Sequence, residues 1–384
     1  MSFQTADMFI GDKLRQARIY NGLTLKELGE MVHATRQYIQ QLECGAKSPS
    51  EKDPTLELAL AEALDVERGF FYDAVTSPIR EEHCHFRKRR TTTETIKAQA
   101  IEQGNLFDKL VNYIDDKVGL PDMNFPDVEA SSTSAASAEE IESLAESMRT
   151  RWRLGLKSPI SNMTRVLENA GVVATYFGNI SDKIDAFSTP RKRHIIVLNN
   201  TKGPFHMRFD LAHECGHLIM HTGITTGDPQ TEAEAHRFAQ AFLLPRGIFM
   251  SEFEFLRYGY KIDWKTLLKK KEEWKVSMAA MLRRASDLGM MAPSKYRLAC
   301  IERNKYYSRE DKSEVGDDLI TEETPEILNS ALHYMKKNGS LGYLLPDMRV
   351  RYKFLSKILE GVTDLSEEDF ALPSNHNITR LSDL

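Results

Sequence analysis

The stretch Asp210–His221, DLAHECGHLIMH, decides how this 384-residue chain is read. It holds His213, Glu214 and His217 in the order H-E-x-x-H, with apolar residues around them. Residues four apart on an α-helix lie on one face, one turn above each other. Both imidazoles can therefore reach one metal ion. Glu214, beside the first histidine, is left to meet a water molecule instead of the metal.

Such a site needs a third protein donor, and the next helical stretch offers one. TEAEAHRFAQAFLLP, residues 231–245, carries Glu232, Glu234 and His236. Glu234 shares a face with Phe238 and Phe242 at steps of four, and a carboxylate on an apolar face is costly unless paired or metal-bound. Glu234 is accordingly the expected third ligand, Glu232 the fallback, and His236 a further possibility offset from Phe238. Zinc suits two imidazoles and a carboxylate with a fourth position left open. Asp210 and His221, one helical turn to either side of the motif, are expected either to orient groups at the site or to serve as a helix-start carboxylate and a surface histidine.

Working outward, VVATYFG (172–178) and HIIVLNN (194–200) read as strands by their β-branched content, with IDAFST (184–189) between them. A small sheet packed against the metal-binding helix is expected. Upstream, Ser137 followed by two glutamates opens a helical EEIESLAESMRTRWRLG, and MTRVLENAG supplies another short helix ending at Gly171.

The run F-D-L-A-H-E-C-G-H-L-I-M-H followed by E-A-E-A-H-R-F-A-Q-A-F-L-L-P resembles the ImmA/IrrE metallopeptidase family over roughly residues 140–290. P-I-S-N-M and I-D-A-F upstream fit as well, whereas His236 stands where family members often have Asn. The resemblance implies a thermolysin-like zinc site in a zincin-like α+β domain. His213, His217 and Glu234 would hold Zn2+, and Glu214 would act as general base. A repressor or other regulatory protein is the implied substrate.

Residues 8–73 are different in kind. GDKLRQARIYNG reads as a short amphipathic helix, and Thr24 and Glu27 are spaced as a capping box before LKELGEMV. Thr35 is placed to cap TRQYIQQLECG, and Gly45 ends it. Several short helices with a tight turn after the second match the helix-turn-helix plan. T-L-K-E-L, I-Q-Q-L-E-C-G and L-A-L-A-E-A-L resemble the Cro/C1-type (XRE) DNA-binding family. By that resemblance the recognition helix is Thr35–Glu43. Arg36, Gln37, Gln40 and Gln41 would face base edges, with Thr35 and Lys47 nearer phosphates. Acids outnumber bases in this segment, so phosphate attraction is modest and a homodimer on two operator half-sites is expected.

Between these units, Arg87–Arg90 reads as a solvated helix start rather than a phosphate contact, and Thr93 caps a helix through Ile114. Glu129–Ser137 is the expected linker. Past Gly289 the composition is ordinary and helical, and the last dozen residues are expected to be disordered. WKVSMAAMLRRASDLG is expected to be a packing helix. The net charge of −5 excludes a basic nucleic-acid coat. Four scattered cysteines without a C-x-x-C pair exclude a cysteine zinc site and suggest a reducing compartment. No apolar run reaches membrane-spanning length, and the N-terminus lacks a signal peptide, so a cytoplasmic protein is expected.

The expected fold is α+β, mostly helical. It comprises a helix-turn-helix bundle (8–73), a connector (74–137), a metallopeptidase domain (138–290) and a helical extension (291–384). The expected function is that of a DNA-binding regulator whose metal domain cleaves a regulatory protein, itself or a partner repressor, after a stress or prophage signal. The alternative is a transcription factor whose metal domain senses or dimerises without cutting.

Overall fold

The computed structural model describes residues 8–50, 54–74, 78–80, 85–88, 93–126, 136–176, 184–199, 203–224, 226–256, 261–309 and 313–372. Most of the expected linker, Arg89 and Arg90 of the basic cluster, and the last dozen residues lie outside them.

The chain opens with α1 (Gly11–Tyr20), α2 (Leu25–Met31), α3 (Arg36–Glu43) and α4 (Thr55–Ala63). Thr24 and Glu27 form the reciprocal capping box at α2, and Thr35 caps α3 by accepting the Tyr38 N–H at 3.1 Å. The turn between α2 and α3 places His33 at φ 54°. A Cβ on Gly29 would lie 2.6 Å from the Ala34 carbonyl oxygen, so this tight turn requires glycine there. Leu14, Ala17, Leu28, Ile39, Leu42 and Leu60 close the core. Arg18 of α1 makes two bonds to the Glu43 carboxylate, at 2.5 and 2.8 Å, fixing α3 against α1.

Strand β1 (His85–Lys88) precedes the long helix α5 (Glu94–Val118), which Thr93 caps and which packs along α1. Arg87 and Lys88 thus lie in a strand, not in a helix start. The pairing that creates this strand is with a distant partner, so the local pattern does not reveal it. After α6 (Ala138–Arg151) and α7 (Met163–Asn169) come β2 (Val173–Tyr176), β3 (Ile184–Thr189) and β4 (Ile195–Leu198). The sheet order is β1-β3-β4-β2. β2 runs parallel to β4, while β3 is antiparallel to both β4 and β1. Every residue of β2 and β4 is buried, which explains why Thr175 and Tyr176 are the only polar side chains in the two strands.

Helix α8 (Pro204–Met220) packs on β3 and β4, and α9 (Pro229–Leu243) packs on α8 and α6. A Cβ on Gly216 would come within 3.0 Å of the Phe238 ring, so glycine lets the two helices approach at this point. α10 (Arg246–Glu252), α11 (Trp264–Trp274), α12 (Met278–Asp287) and α13 (Pro293–Tyr306) follow. The fold is mostly helical α+β, as expected.

The remaining helices, α14 (Ile327–Lys337), α15 (Leu344–Met348) and α16 (Tyr352–Leu359), join the two ends of the molecule. α14 and α16 pack on β2, where Thr175 donates to the Ile358 carbonyl at 2.7 Å. On their other contacts, Tyr20 donates to the Phe354 carbonyl at 2.7 Å and Val66 bridges Val350. Arg349 donates to the Gly69 carbonyl at 2.6 Å. The C-terminal helices therefore tie the N-terminal bundle to the sheet.

Candidate metal centre and nucleic-acid interface

Helix α8 is buried along most of its length, and His213, Glu214 and His217 are each at most 2% exposed. Buried imidazoles and carboxylates need partners. The Nε2 atoms of His213 and His217 converge to 3.1 Å. The Glu232 carboxylate completes the group, 3.3 Å from His213 Nε2 and 3.2 Å from His217 Nε2. Donors about 2.0–2.1 Å from a tetrahedral zinc ion stand about 3.3 Å from one another. The two imidazole nitrogens, 3.1 Å apart, are spaced to share one such ion, Glu232 brings Oε2 to His213 and Oε1 to His217, and the three side chains form the one candidate metal group among the described residues.

The carboxylate beside the two imidazoles is Glu232, the fallback, and not the expected Glu234. Glu234 lies elsewhere, accepting from His221 Nε2 at 3.0 Å, from the Ala136 N–H at 3.2 Å and from Gln230 at 3.1 Å. The stripe of α9 that packs inward is Thr231, Ala235, Phe238, Ala239 and Phe242. At 100° per residue, Glu232 and Glu234 flank its centre by about 80° on opposite sides. One side meets His213 and His217, and the other meets His221. His236 lies tilted against Phe209, ring centres 4.8 Å apart, and is 6.3 Å from the His213 ring, outside the donor group.

Burial pushes the Glu232 carboxyl up, but hydrogen bonds and charge from His213 and His217 outweigh it and hold it well below the usual carboxylate range. His221 is pushed down by burial, partly offset by its bond to Glu234. Its Nδ1 is 2.8 Å from His217 Nδ1. With the Glu234 oxygen as acceptor, His221 donates from Nε2. A neutral His221 then accepts at Nδ1 from His217 Nδ1–H, which leaves the lone pair of His217 on Nε2, the atom aimed at the donor group.

Ser188 is a site residue that the sequence did not mark. It is fully buried on β3 and donates to Glu214 Oε2 at 2.5 Å. One serine in a six-residue strand gives no signal; only the packing of α8 on β3 brings it to the motif. Beside the donor group lies a cavity of about 670 Å³. His213, Glu232, His236, Arg237, Arg283 and Tyr296 contribute to its walls. Two buried arginines hold those walls. Arg284 pairs with Glu142 of α6 and donates to the Leu244 carbonyl, and Arg208 pairs with Glu323 and donates to the Ile160 carbonyl.

At the other end of the molecule, Thr35, Arg36, Gln37, Gln40 and Lys47 are exposed and Gln41 is half-buried. They lie on or beside α3, whose inner face is filled by Ile39 and Leu42. Lys47 sits 5.3 Å over the Tyr38 ring. The polar face of α3 is thus presented outward with its backbone fixed by the Thr35 cap and the Arg18–Glu43 pair.

Among the described residues no helix is long and apolar enough to cross a membrane. In sequence, the chain is similar to an uncharacterized HTH-type transcriptional regulator of Rickettsia prowazekii (strain Madrid E). The two are 26% identical over 121 residues, covering 30% of this chain and 91% of the relative. Residues 167–286, from α7 through most of α12, match the family model of peptidase M78, described as the IrrE N-terminal-like domain. Strands β2, β3 and β4, the H-E-x-x-H helix and Glu232 all fall inside that match, so the candidate metal centre lies in the part of the chain that is similar to the IrrE N-terminal-like domain.

Proposed function

We propose that the chain is a transcriptional regulator that reads double-stranded operator DNA through α3 and cleaves a regulatory protein with its metal domain. The substrate is the chain itself or a partner repressor, and cleavage follows a stress or prophage signal. In this reading the DNA-reading unit spans 8–73, the connector 74–137, the peptidase unit 138–290 and the extension 291–384. The protein acts in the cytoplasm as a homodimer on paired half-sites.

The observation that carries the catalytic part is the placement of Glu214. Its carboxylate is held by Ser188, one residue from the first of three converging donors. His213, His217 and Glu232 are the residues that would hold zinc, a donor set of two imidazoles and one carboxylate that suits this ion. Bound there, zinc would supply Lewis acidity toward a peptide carbonyl and toward water. Glu214 takes a proton from the attacking water at Oε1, the oxygen that Ser188 does not hold, and delivers it to the leaving amine nitrogen. Ser188 fixes the carboxylate's orientation, and the His221–Glu234 pair fixes the tautomer of His217.

Glu214→Gln tests this reading. Wild-type protein incubated with zinc and the partner repressor should yield fragments by mass spectrometry, whereas the variant should yield none and should leave the target promoter locked in repression under inducing conditions. A variant that regulates the promoter normally would sink the proteolytic reading. The second reading, a metal domain that senses or dimerises, is favoured by one fact: Glu214 has no exposed surface in this conformation.

A further inference from the structure

The general base of the proposed reaction is 0% exposed, and the residues that line the cavity beside the metal donors include neither Glu214 nor Ser188. A water molecule and a peptide must still reach Glu214, so some element next to it has to give way. β3 is the strand that touches Glu214, through Ser188. One edge of β3 is paired with β4. The other edge is paired with β1, four residues from the connector, a hundred residues earlier in the chain. His85 lies directly opposite Ser188, so the first residue of the connector strand sits beside the very residue that holds the catalytic carboxylate.

An unpaired strand edge presents a row of backbone donors and acceptors that an extended polypeptide can join as an added strand. The pairing of β1 is short, irregular between Arg87 and Lys88, and antiparallel. A four-residue ladder with a bulge is weak enough to exchange for a longer strand. We infer that the outer edge of β3 is the polypeptide-binding edge of the catalytic cleft, and that residues 85–88 occupy it in cis as a built-in competitor. An incoming extended chain displaces β1, and its backbone takes the place beside Ser188. Because β1 sits between the DNA-reading bundle and α5, release of the strand is mechanically linked to the part of the chain that holds the operator. This inference rests on the proteolytic reading for its purpose but not for its test.

The test uses the full chain and reads strand occupancy directly. N–H groups of consecutive strand residues point to opposite sides, so replacing two neighbours by proline removes at least one ladder donor whatever the register. In Phe86→Pro/Arg87→Pro, those backbone amides of 184–189 that face β1 should exchange with deuterium at least tenfold faster than in wild type, while those that face β4 stay protected. A synthetic peptide of residues 83–90 added in trans should restore their protection. A second variant, with residues 85–88 replaced by Gly-Ser-Gly-Ser, guards against a proline-specific folding defect and should behave the same. Equal protection of β3 in wild type and both variants, or failure of the peptide to restore it, would overturn the inference. A cleavage assay on chains that keep Glu214 separates it from catalysis: restored protection without any cleavage by wild type retains the strand competitor and removes the peptidase. With an active peptidase, both β1 variants should lower KM for an extended peptide about tenfold at unchanged kcat.

Discussion

The Glu234 carboxylate bonds His221 at 3.0 Å, while Glu232, two residues earlier on the same helix, reaches His213 and His217. The two acids are chemically identical and differ only in which side of the buried α9 stripe they leave. Their substitution should therefore separate two roles. Glu232→Ala should abolish stoichiometric zinc binding measured by chelator competition. Glu234→Gln should keep one zinc per chain with affinity lowered by about 10–100-fold, the usual effect of losing a partner that orients a histidine ligand. Loss of zinc in Glu234→Gln with retention in Glu232→Ala would restore the expectation drawn from the sequence.

The Arg284–Glu142 pair anchors α12 to α6 behind the cavity, and both side chains are buried. Removing one partner leaves an uncompensated charge. Glu142→Ala should cost about 3–5 kcal/mol in urea unfolding, whereas Glu142→Leu/Arg284→Met should recover most of that loss. Equal stability of Glu142→Ala and wild type would show that water reaches Arg284.

Recognition by α3 should depend on Arg36 and Gln40 in a sequence-specific way. On DNA selected by the wild-type protein, Arg36→Ala or Gln40→Ala should each weaken binding by about 1–3 kcal/mol and relax the preference at one base position. Lys47→Ala should weaken all sequences alike and reduce the salt dependence by about one counterion. Fluorescence anisotropy against matched and altered sites distinguishes these patterns.

A pH effect should arise where α7 meets the C-terminal extension. Glu168 accepts the backbone N–H groups of Glu326 and Ile327, both at 2.8 Å, and caps the start of α14. Burial pushes its carboxyl up to about 7, with the Ile327 bond and Arg165 opposing. A raised folded-state value means that the folded chain holds the proton more tightly than the unfolded chain. This contribution to stability is full below the ordinary glutamate value of 4.5 and is lost as pH rises through about 7. Glu168→Gln should remove the difference, so the gap between variant and wild-type Tm should widen in the variant's favour from pH 5 to pH 8. A gap independent of pH would exclude titration of Glu168.

What could be read from the sequence were the features that depend on neighbours within a few residues. The four-residue step of His213 and His217 puts both rings on one face of any helix. Thr24 with Glu27, Thr35 and Thr93 mark helix starts because capping uses backbone groups two or three positions away. The β-branched runs around Val173 and Ile195 announce strands for the same local reason.

Tertiary structure decided the rest. Glu232 and Glu234 sit symmetrically about the inward stripe of α9, so helical periodicity ranks neither. The crossing of α9 over α8, set by the contact of Gly216 with Phe238, makes the choice. Ser188 becomes a partner of Glu214 only because α8 lies on β3, and residues 85–88 become a strand only because β3 has an edge to offer. The extension, unremarkable as sequence, gains its role from Tyr20 meeting Phe354 and Thr175 meeting Ile358, contacts across more than 180 residues. Local spacing fixes which face a side chain takes on its own element; which partner that face meets depends on distant packing that no short stretch of sequence contains.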